Sequence, residues 1–409
     1  MGLKGALARL AVQAPHVLVV ETPGGWRVRV ALEQELGRRG WRAATSPADA
    51  DLLAVCGTPP STYADPLATT WDQLPGPRAR VDLTAPSTPY VAVELDRAVA
   101  VLLDDHHQRA DADARTTELA PEETPEHGEM GHGEMGHGEM GHGEMGHGEM
   151  GHGEMDHGEM GHGEMGHGEM DHGEMGHGEM GGHDHMDMSG PGGVPLAMGG
   201  ADRDGLGMDV LHLRLGPILP LWPAGLVLAL ALQGDVVTEA TVEQVAEEDP
   251  GSVPAAYRCD AAAALLTLAG APRLAAQASR ARDQLLEDST RADGLATLAD
   301  LRRRIARSVT LRWSLRDLAL VPGRAATAAL LPEVWRGDVL DRLVRLLDLA
   351  LAEAAGVAQA TRDQAGRDAG DLSALVVGAE LATVRLAVAS VAGLGPAWVP
   401  PARTGGTHG

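Results

Sequence analysis

Hydrophobic and polar positions alternate in two different ways along the chain. From His16 the run His-Val-Leu-Val-Val is rich in β-branched residues and apolar from Val17 on, which predicts a buried strand. Pro23-Gly24-Gly25 reads as a turn, and Trp26 to Arg39 has helical spacing that stops at Gly40. A short strand is expected at Trp41–Thr45, a second buried strand at Asp51–Cys56, a loop at Gly57–Ser61 and a helix over Asp65–Leu74. Arg80–Leu83 and Tyr90–Val93 are candidate strands, and Leu95–Asp104 a further helix. Strands alternating with helices predict an α/β domain over residues 1–104, with a parallel sheet covered on both faces. Gly24-Gly25 belongs to neither GxGxxG nor GxxxxGK[ST], so the pair is read as a plain turn.

The second pattern starts near Val194. Asp202-Arg-Asp-Gly-Leu predicts a turn, and in Met208–Leu215 polar and apolar residues alternate as on a strand, with His212 expected half-buried. Gly225–Leu232, the turn Gln233-Gly-Asp and Val236–Glu243 predict a β-hairpin with one wet face. Beyond Pro254 the spacing is helical: Ala255–Glu287 with a break at Gly270, then Ala292–Val309, Pro332–Ala355 and Leu372–Leu394. In Pro332–Ala355 the charges Asp338, Asp341 and Arg345 are read as a solvated face opposite Leu340, Val344 and Leu347. The expectation for 194–403 is an α+β domain, a hairpin followed by a helical bundle, with 404–409 a disordered tail. Gly216–Gln233 is uncharged but holds Pro217, Pro220 and Pro223, so it is read as an extended segment and a strand, not a membrane span.

Between these patterns, residues 105–193 read as an acidic, disordered linker. His-Gly-Glu-Met recurs every five residues, matching neither the helical nor the strand period, and its glycines disfavour both. Its imidazoles and thioethers are His127, Met130, His132, Met135, His137, Met140, His142, Met145, His147, Met150, His152, Met155, His157, Met160, His162, Met165, His167, Met170, His172, Met175, His177 and Met180. The tract closes on His183, His185, Met186 and Met188. Thioether with imidazole suits Cu(I), and imidazole with carboxylate suits Cu(II), Ni(II) or Zn(II), so these residues are the candidate metal ligands. A repeat expanded as a tolerated linker is the competing reading.

Charge sharpens the contrast. The chain has 409 residues and a formal charge of −25. Sixteen acids and no base lie between Glu126 and Met188, leaving −9 on the rest. So acidic a chain argues against nucleic acid or an anionic membrane as its main partner. Cys56 and Cys259, the two cysteines, are too few for an iron–sulfur cluster and too far apart for a CxxC site. Both are read as buried core residues. The first residues, broken by Arg9, do not read as a signal peptide, so a cytoplasmic chain without a transmembrane segment is expected.

Two stretches carry a family likeness. Ser46-Pro-Ala-Asp-Ala-Asp-Leu-Leu-Ala-Val-Cys-Gly-Thr, Ala64-Asp-Pro-Leu and Thr70-Trp-Asp-Gln-Leu-Pro-Gly-Pro-Arg resemble SPxxADxxxVxG, MAPxL and YDQMPxPxW of the flavodoxin-like small subunit of respiratory complex I and related hydrogenases. Gly216-Pro-Ile-Leu-Pro-Leu-Trp-Pro-Ala-Gly and Leu232-Gln-Gly-Asp-Val-Val are similar in order to the GPQHPAAHGVL…LDGEVV opening of the large, quinone-site subunit shared with nickel–iron hydrogenases. Leu285-Leu, Arg312-Trp-Ser-Leu-Arg and Gly378-Ala-Glu-Leu-Ala-Thr-Val-Arg-Leu extend the second likeness. The family's cluster cysteines have no counterparts here, its two motif histidines fall at Leu219 and Pro223, and Glu248-Asp-Pro-Gly-Ser replaces its HRG-type loop. The resemblance therefore implies a fused, degenerate relative with no iron–sulfur or nickel–iron centre and no intrinsic redox activity. Its implied role is that of an accessory or structural partner of such a complex. A cytosolic copper-, nickel- or zinc-binding protein is the alternative, and a residual quinone oxidoreductase the third reading. His106 and His107, beside Asp104 and Asp105, are expected to be solvated at a helix end.

Overall fold

The computed structural model describes residues 14–118, 198–201, 207–244, 253–321, 331–356 and 371–394. The repeat tract lies outside them. One compact unit takes in Met1–Glu118 together with Met188–Gly409, so the chain segments on either side of the tract share a body.

The N-terminal half is α/β. Strands β1 (His16–Glu21), β2 (Arg42–Ala43), β3 (Leu52–Cys56) and β4 (Ala79–Leu83) form a parallel sheet in the order β2-β1-β3-β4. Every residue of β3 is buried, as a continuous apolar run demands when both sheet faces are covered. Helices α1 (Trp26–Arg39) and α3 (Thr88–Leu102) cover one face through Val28, Leu32, Leu36, Val91 and Leu95. Helix α2 (Ala64–Asp72) covers part of the other, where Leu18, Val20, Leu53 and Val55 meet Tyr63 and Leu67. Helix α1 stops where Gly40 takes φ 70°, a left-handed cap.

Two expectations change here. Tyr90–Val93 is helical: α3 starts at Thr88 with Pro89 in its first turn, and Val91, Leu95, Ala98 and Leu102 bury one stripe. The linker does not start at 105, because helix α4 spans Asp105–Glu118. Asp104 caps it by accepting the backbone N–H groups of His106 and His107. Arg78, 3% exposed, ties α4 down by donating to Asp111 at 2.9 Å while lying 4.2 Å from the Trp71 ring centre.

The C-terminal half begins with an antiparallel sheet in sequence order, β5 (Met198–Ala201), β6 (Gly207–Leu215), β7 (Val227–Gln233) and β8 (Val236–Gln244). A register shift opposite Ala231/Leu232 turns Val237 inward and leaves Thr238 and Glu239 exposed. His212 is exposed on β6 and not half-buried, because Leu211 and Leu213 take the core side.

Helices follow: α5 (Pro254–Leu268), α6 (Pro272–Leu286), α7 (Arg291–Arg307), α8 (Val309–Leu315), α9 (Val339–Ala354), α10 (Leu372–Val376) and α11 (Leu381–Val391). The Ala-rich α5 packs against α6, α9 and α11, which suits a helix apolar on most sides. The expected helix Pro332–Ala355 starts only at Val339, where Asp338 and Asp341 form a capping box. Leu372–Leu394 is two helices, broken where Gly378 takes φ 84°.

The solvated face assigned to α9 holds only at Asp341, which is exposed. Asp338 is buried in its cap, Arg345 donates to the carbonyls of Val334 and Arg336, and the neighbouring Arg342 is fully buried. Arg342 donates to Ser390 Oγ and to the carbonyls of Trp335, Gly337 and Ala319 at 2.7–3.0 Å. Burial pulls its guanidinium down to about 10, against the opposing charge of Asp338. Among the described residues no helix is long and apolar enough to cross a membrane.

Candidate functional site: a cavity where the two halves meet

Helix α1 is the joint. Its positions 28, 32 and 36 face the sheet, whereas Trp26 and Val30 belong to the core of the C-terminal half. The Trp26 and Tyr257 rings meet edge to face, 5.4 Å apart at 72°. Arg29 and Glu33 extend the same stripe at helical spacing. Arg29 pairs with Glu21, with Glu33 and, across to α5, with Asp260. From α6, Arg282 donates to Glu33 at 2.7 Å, Asp260 at 2.6 Å and Asp283 at 2.9 Å. Burial alone would raise the Asp260 carboxyl, but Arg29 and Arg282 outweigh it and hold it below the usual range. Burial likewise opposes the charge on Arg29, and Asp260, Glu21 and Glu33 more than restore it.

An extended strap from the C-terminal half crosses the sheet face that α2 leaves open. Its Ile218 packs against the Leu18–Val20 layer. The Gly225 N–H donates to Tyr63 Oη at 2.8 Å, Trp222 Nε1 to the Leu226 carbonyl at 2.9 Å, and Arg385 to the Pro220 carbonyl at 2.5 Å. Gly216 is required at the start of the strap: at φ 90° an added Cβ would stand 2.1 Å from the Leu226 carbonyl oxygen.

Strap, β1, α5 and α6 enclose a cavity of about 360 Å³. Leu18, Val20, Ile218, Leu219, Ala264 and Ala389 supply apolar wall, Thr267 and Ser279 hydroxyls, and the Arg29–Asp260–Arg282 group a charged end. Such a space suits a small, mostly apolar molecule with one polar end. Arg29, Glu33, Asp260 and Arg282 are matched to one another, which balances the charges at this end of the cavity.

The carboxyl ends of β1 and β3 flank the point where the sheet order reverses, the usual ligand crevice of an open parallel sheet. Here it is filled. Thr22 donates to the Cys56 carbonyl through both N and Oγ1, at 3.0 and 2.9 Å. A Cβ on Gly25 would lie 2.1 Å from that same carbonyl oxygen. Cys56 is fully buried, and desolvation, reinforced by Glu21, pushes its thiol well up. Cys259 is also buried on α5, with its thiol pushed up to about 12 by burial and then by Asp260. Two protonated thiols in apolar packing do not fit an iron–sulfur cluster, whose ligands are thiolates.

Of the metal ligands expected from sequence, all those from His127 to Met188 lie outside the described residues. His106 and His107 are exposed at the start of α4. Among the described residues no group of three or more His, Cys, Asp or Glu is placed to hold a metal ion. The Arg29–Asp260–Arg282 group is absent from the sequence reading, since Arg29 and Asp260 stand 231 positions apart. A usable signal was the second stripe of α1, in which Trp26, Arg29, Val30 and Glu33 share one helical face. Comparison with family models, curated proteins and solved structures finds no match to this chain.

Proposed function

We propose that the chain is a fused, degenerate relative of the complex I and nickel–iron hydrogenase core, acting as an accessory or structural component of a NADH-quinone oxidoreductase- or hydrogenase-type complex. The observation that carries this reading is the joint itself. The segment resembling the small subunit and the segment resembling the large one share a core at Trp26 and Val30 and are bridged by Arg29 and Arg282. The filled end of the parallel sheet and the two buried thiols favour a scaffold over an electron carrier. The test is anaerobic purification of the tagged chain from its own cells. Subunits of such a complex should co-purify, and the chain should lack stoichiometric iron and acid-labile sulfide. Absorption near 400 nm with about four irons per chain, as thiolate-bound clusters give, would reject the reading.

A second reading rests on composition. Thirteen of the eighteen His and thirteen of the sixteen Met fall between His127 and Met188, which favours binding of copper, nickel or zinc. Several divalent ions per chain should bind weakly, because each ligand set has to be ordered on binding. Affinity should fall as pH drops through about 6.5, where free imidazole protonates. Calorimetry comparing the full chain with a deletion of 127–188 measures this, and equal binding by both would place the metal elsewhere.

A further inference from the structure

The charge of the whole chain conceals a local reversal. From Arg302 to Arg316 there are six arginines and no acid, in a protein of charge −25. Asp300 and Asp317 flank the stretch, and Arg302, Arg303 and Arg304 pair with Asp348 and Asp300. This segment runs from the last turns of α7 through α8. The roughly two turns from Val309 to Leu315 present two apolar stripes. Leu311 and Leu315, 3% and 1% exposed, anchor α8 to the core, while Val309 and Trp313 on the opposite side are 74% and 87% exposed. At 100° per residue, Arg312 and Arg316 border the outward stripe, and Arg307 stands just before it. All three are exposed. One turn back, Arg304 opens into a groove between α6 and α7 that Arg273 and Arg280 also line, with Asp300 the single carboxylate among them.

We infer that the α7–α8 corner is a docking surface for an anionic lipid bilayer, with Trp313 and Val309 entering the headgroup region and the surrounding arginines meeting phosphates. An exposed indole and valine on one side of α8, bordered by arginines, have the amphipathic make-up of an interfacial anchor. An acidic protein partner would satisfy the arginines but calls for a pocket to receive Trp313. The acidity of the rest of the chain does not forbid docking, because charges farther away than about 8–10 Å are largely screened at physiological ionic strength.

The test is co-sedimentation of the full chain with phosphatidylcholine vesicles, with and without phosphatidylglycerol. Pelleting is expected only with the anionic lipid and should weaken as salt rises. Arg307→Gln, Arg312→Gln and Arg316→Gln together should lower the partition coefficient on the order of a hundredfold, at about 1 kcal/mol per basic residue. Trp313→Ala should lower it about tenfold. Arg42→Gln with Arg97→Gln, which removes charge from the parallel-sheet half, should leave it unchanged. Absence of pelleting, equal pelleting on both vesicle types, or equal loss in the Arg42/Arg97 control would overturn the inference.

Discussion

The two halves of the body hold themselves together with different chemistry. In the N-terminal half the centre is apolar: Leu52, Leu53, Ala54, Val55 and Cys56 are all fully buried, between helices on one face and helix plus strap on the other. The C-terminal half has a larger apolar core, and beside it a fully buried arginine. Arg342 is fully buried and reaches three loop carbonyls and Ser390. Apolar burial is non-directional, so the parallel sheet needs only the right pattern of side chains. Arg342 is directional, fixing where the segments around 319 and 335–337 stand relative to α9 and α11. Where strands stack in register the core can be greasy, and where irregular backbone is buried its carbonyls must be met by donors.

This contrast can be broken from either side. The largest effect is expected at Arg342. Arg342→Ala removes a buried donor set that serves four acceptors, and should cost about 3–5 kcal/mol in denaturant unfolding. Arg342→Lys should recover little of that, because an ammonium cannot span the same four oxygens.

In the parallel sheet, truncation at either face should be costly. Leu52→Ala and Leu53→Ala, on opposite faces, should each cost about 2–5 kcal/mol. The same scan along β8 should distinguish faces: Val237→Ala should cost more than 1 kcal/mol or so, and Glu239→Ala no more than about 0.5. Equal costs at Val237 and Glu239 would contradict the register.

A smaller effect is expected at the capping box. Asp338→Ala should cost more than about 1 kcal/mol, because the Asp341 and Asp317 N–H groups both lose their acceptor.

The smallest effect is electrostatic. A hydrogen bond donated by the His16 ring to Asp49, reinforced by the charges of Asp49 and Asp51, raises His16 above its ordinary 6.5 despite some desolvation. A group raised in the folded state adds stability that is fully present below 6.5 and is lost as pH rises through the folded value. The stability difference between the native chain and His16→Gln should therefore shrink on going from mildly acidic to alkaline pH. An unchanged difference would mean that the Asp49 contact is not made in solution.

These residues also show what the sequence could convey. The bounds of α1 were legible because its apolar spacing runs unbroken into a glycine able to adopt the left-handed cap. Tyr90–Val93 misled because four apolar residues fit a strand or one turn of a buried helix equally well. Only the Ser87-Thr-Pro start and the continuation to Leu102 decide it. Arg342 is absent from the sequence reading, which took its neighbours Asp338, Asp341 and Arg345 as a wet face. Its role depends on carbonyls brought from 319 and 335, which no local pattern announces. The cavity was illegible for the same reason, since its charged end joins α1 to α5 and α6 across the tract.

The central claim is that the segments before and after the tract form one interlocked body, joined at α1 and the strap. A protease site placed within 127–188, cleaved to completion and followed by gel filtration of the native chain, tests it directly. The account predicts that both fragments elute together at the volume of the uncut body, and that Asp260→Arg, which opposes Arg29 and Arg282 with a third cation, makes them separate. Fragments that part freely after cleavage of the unmutated chain would contradict it.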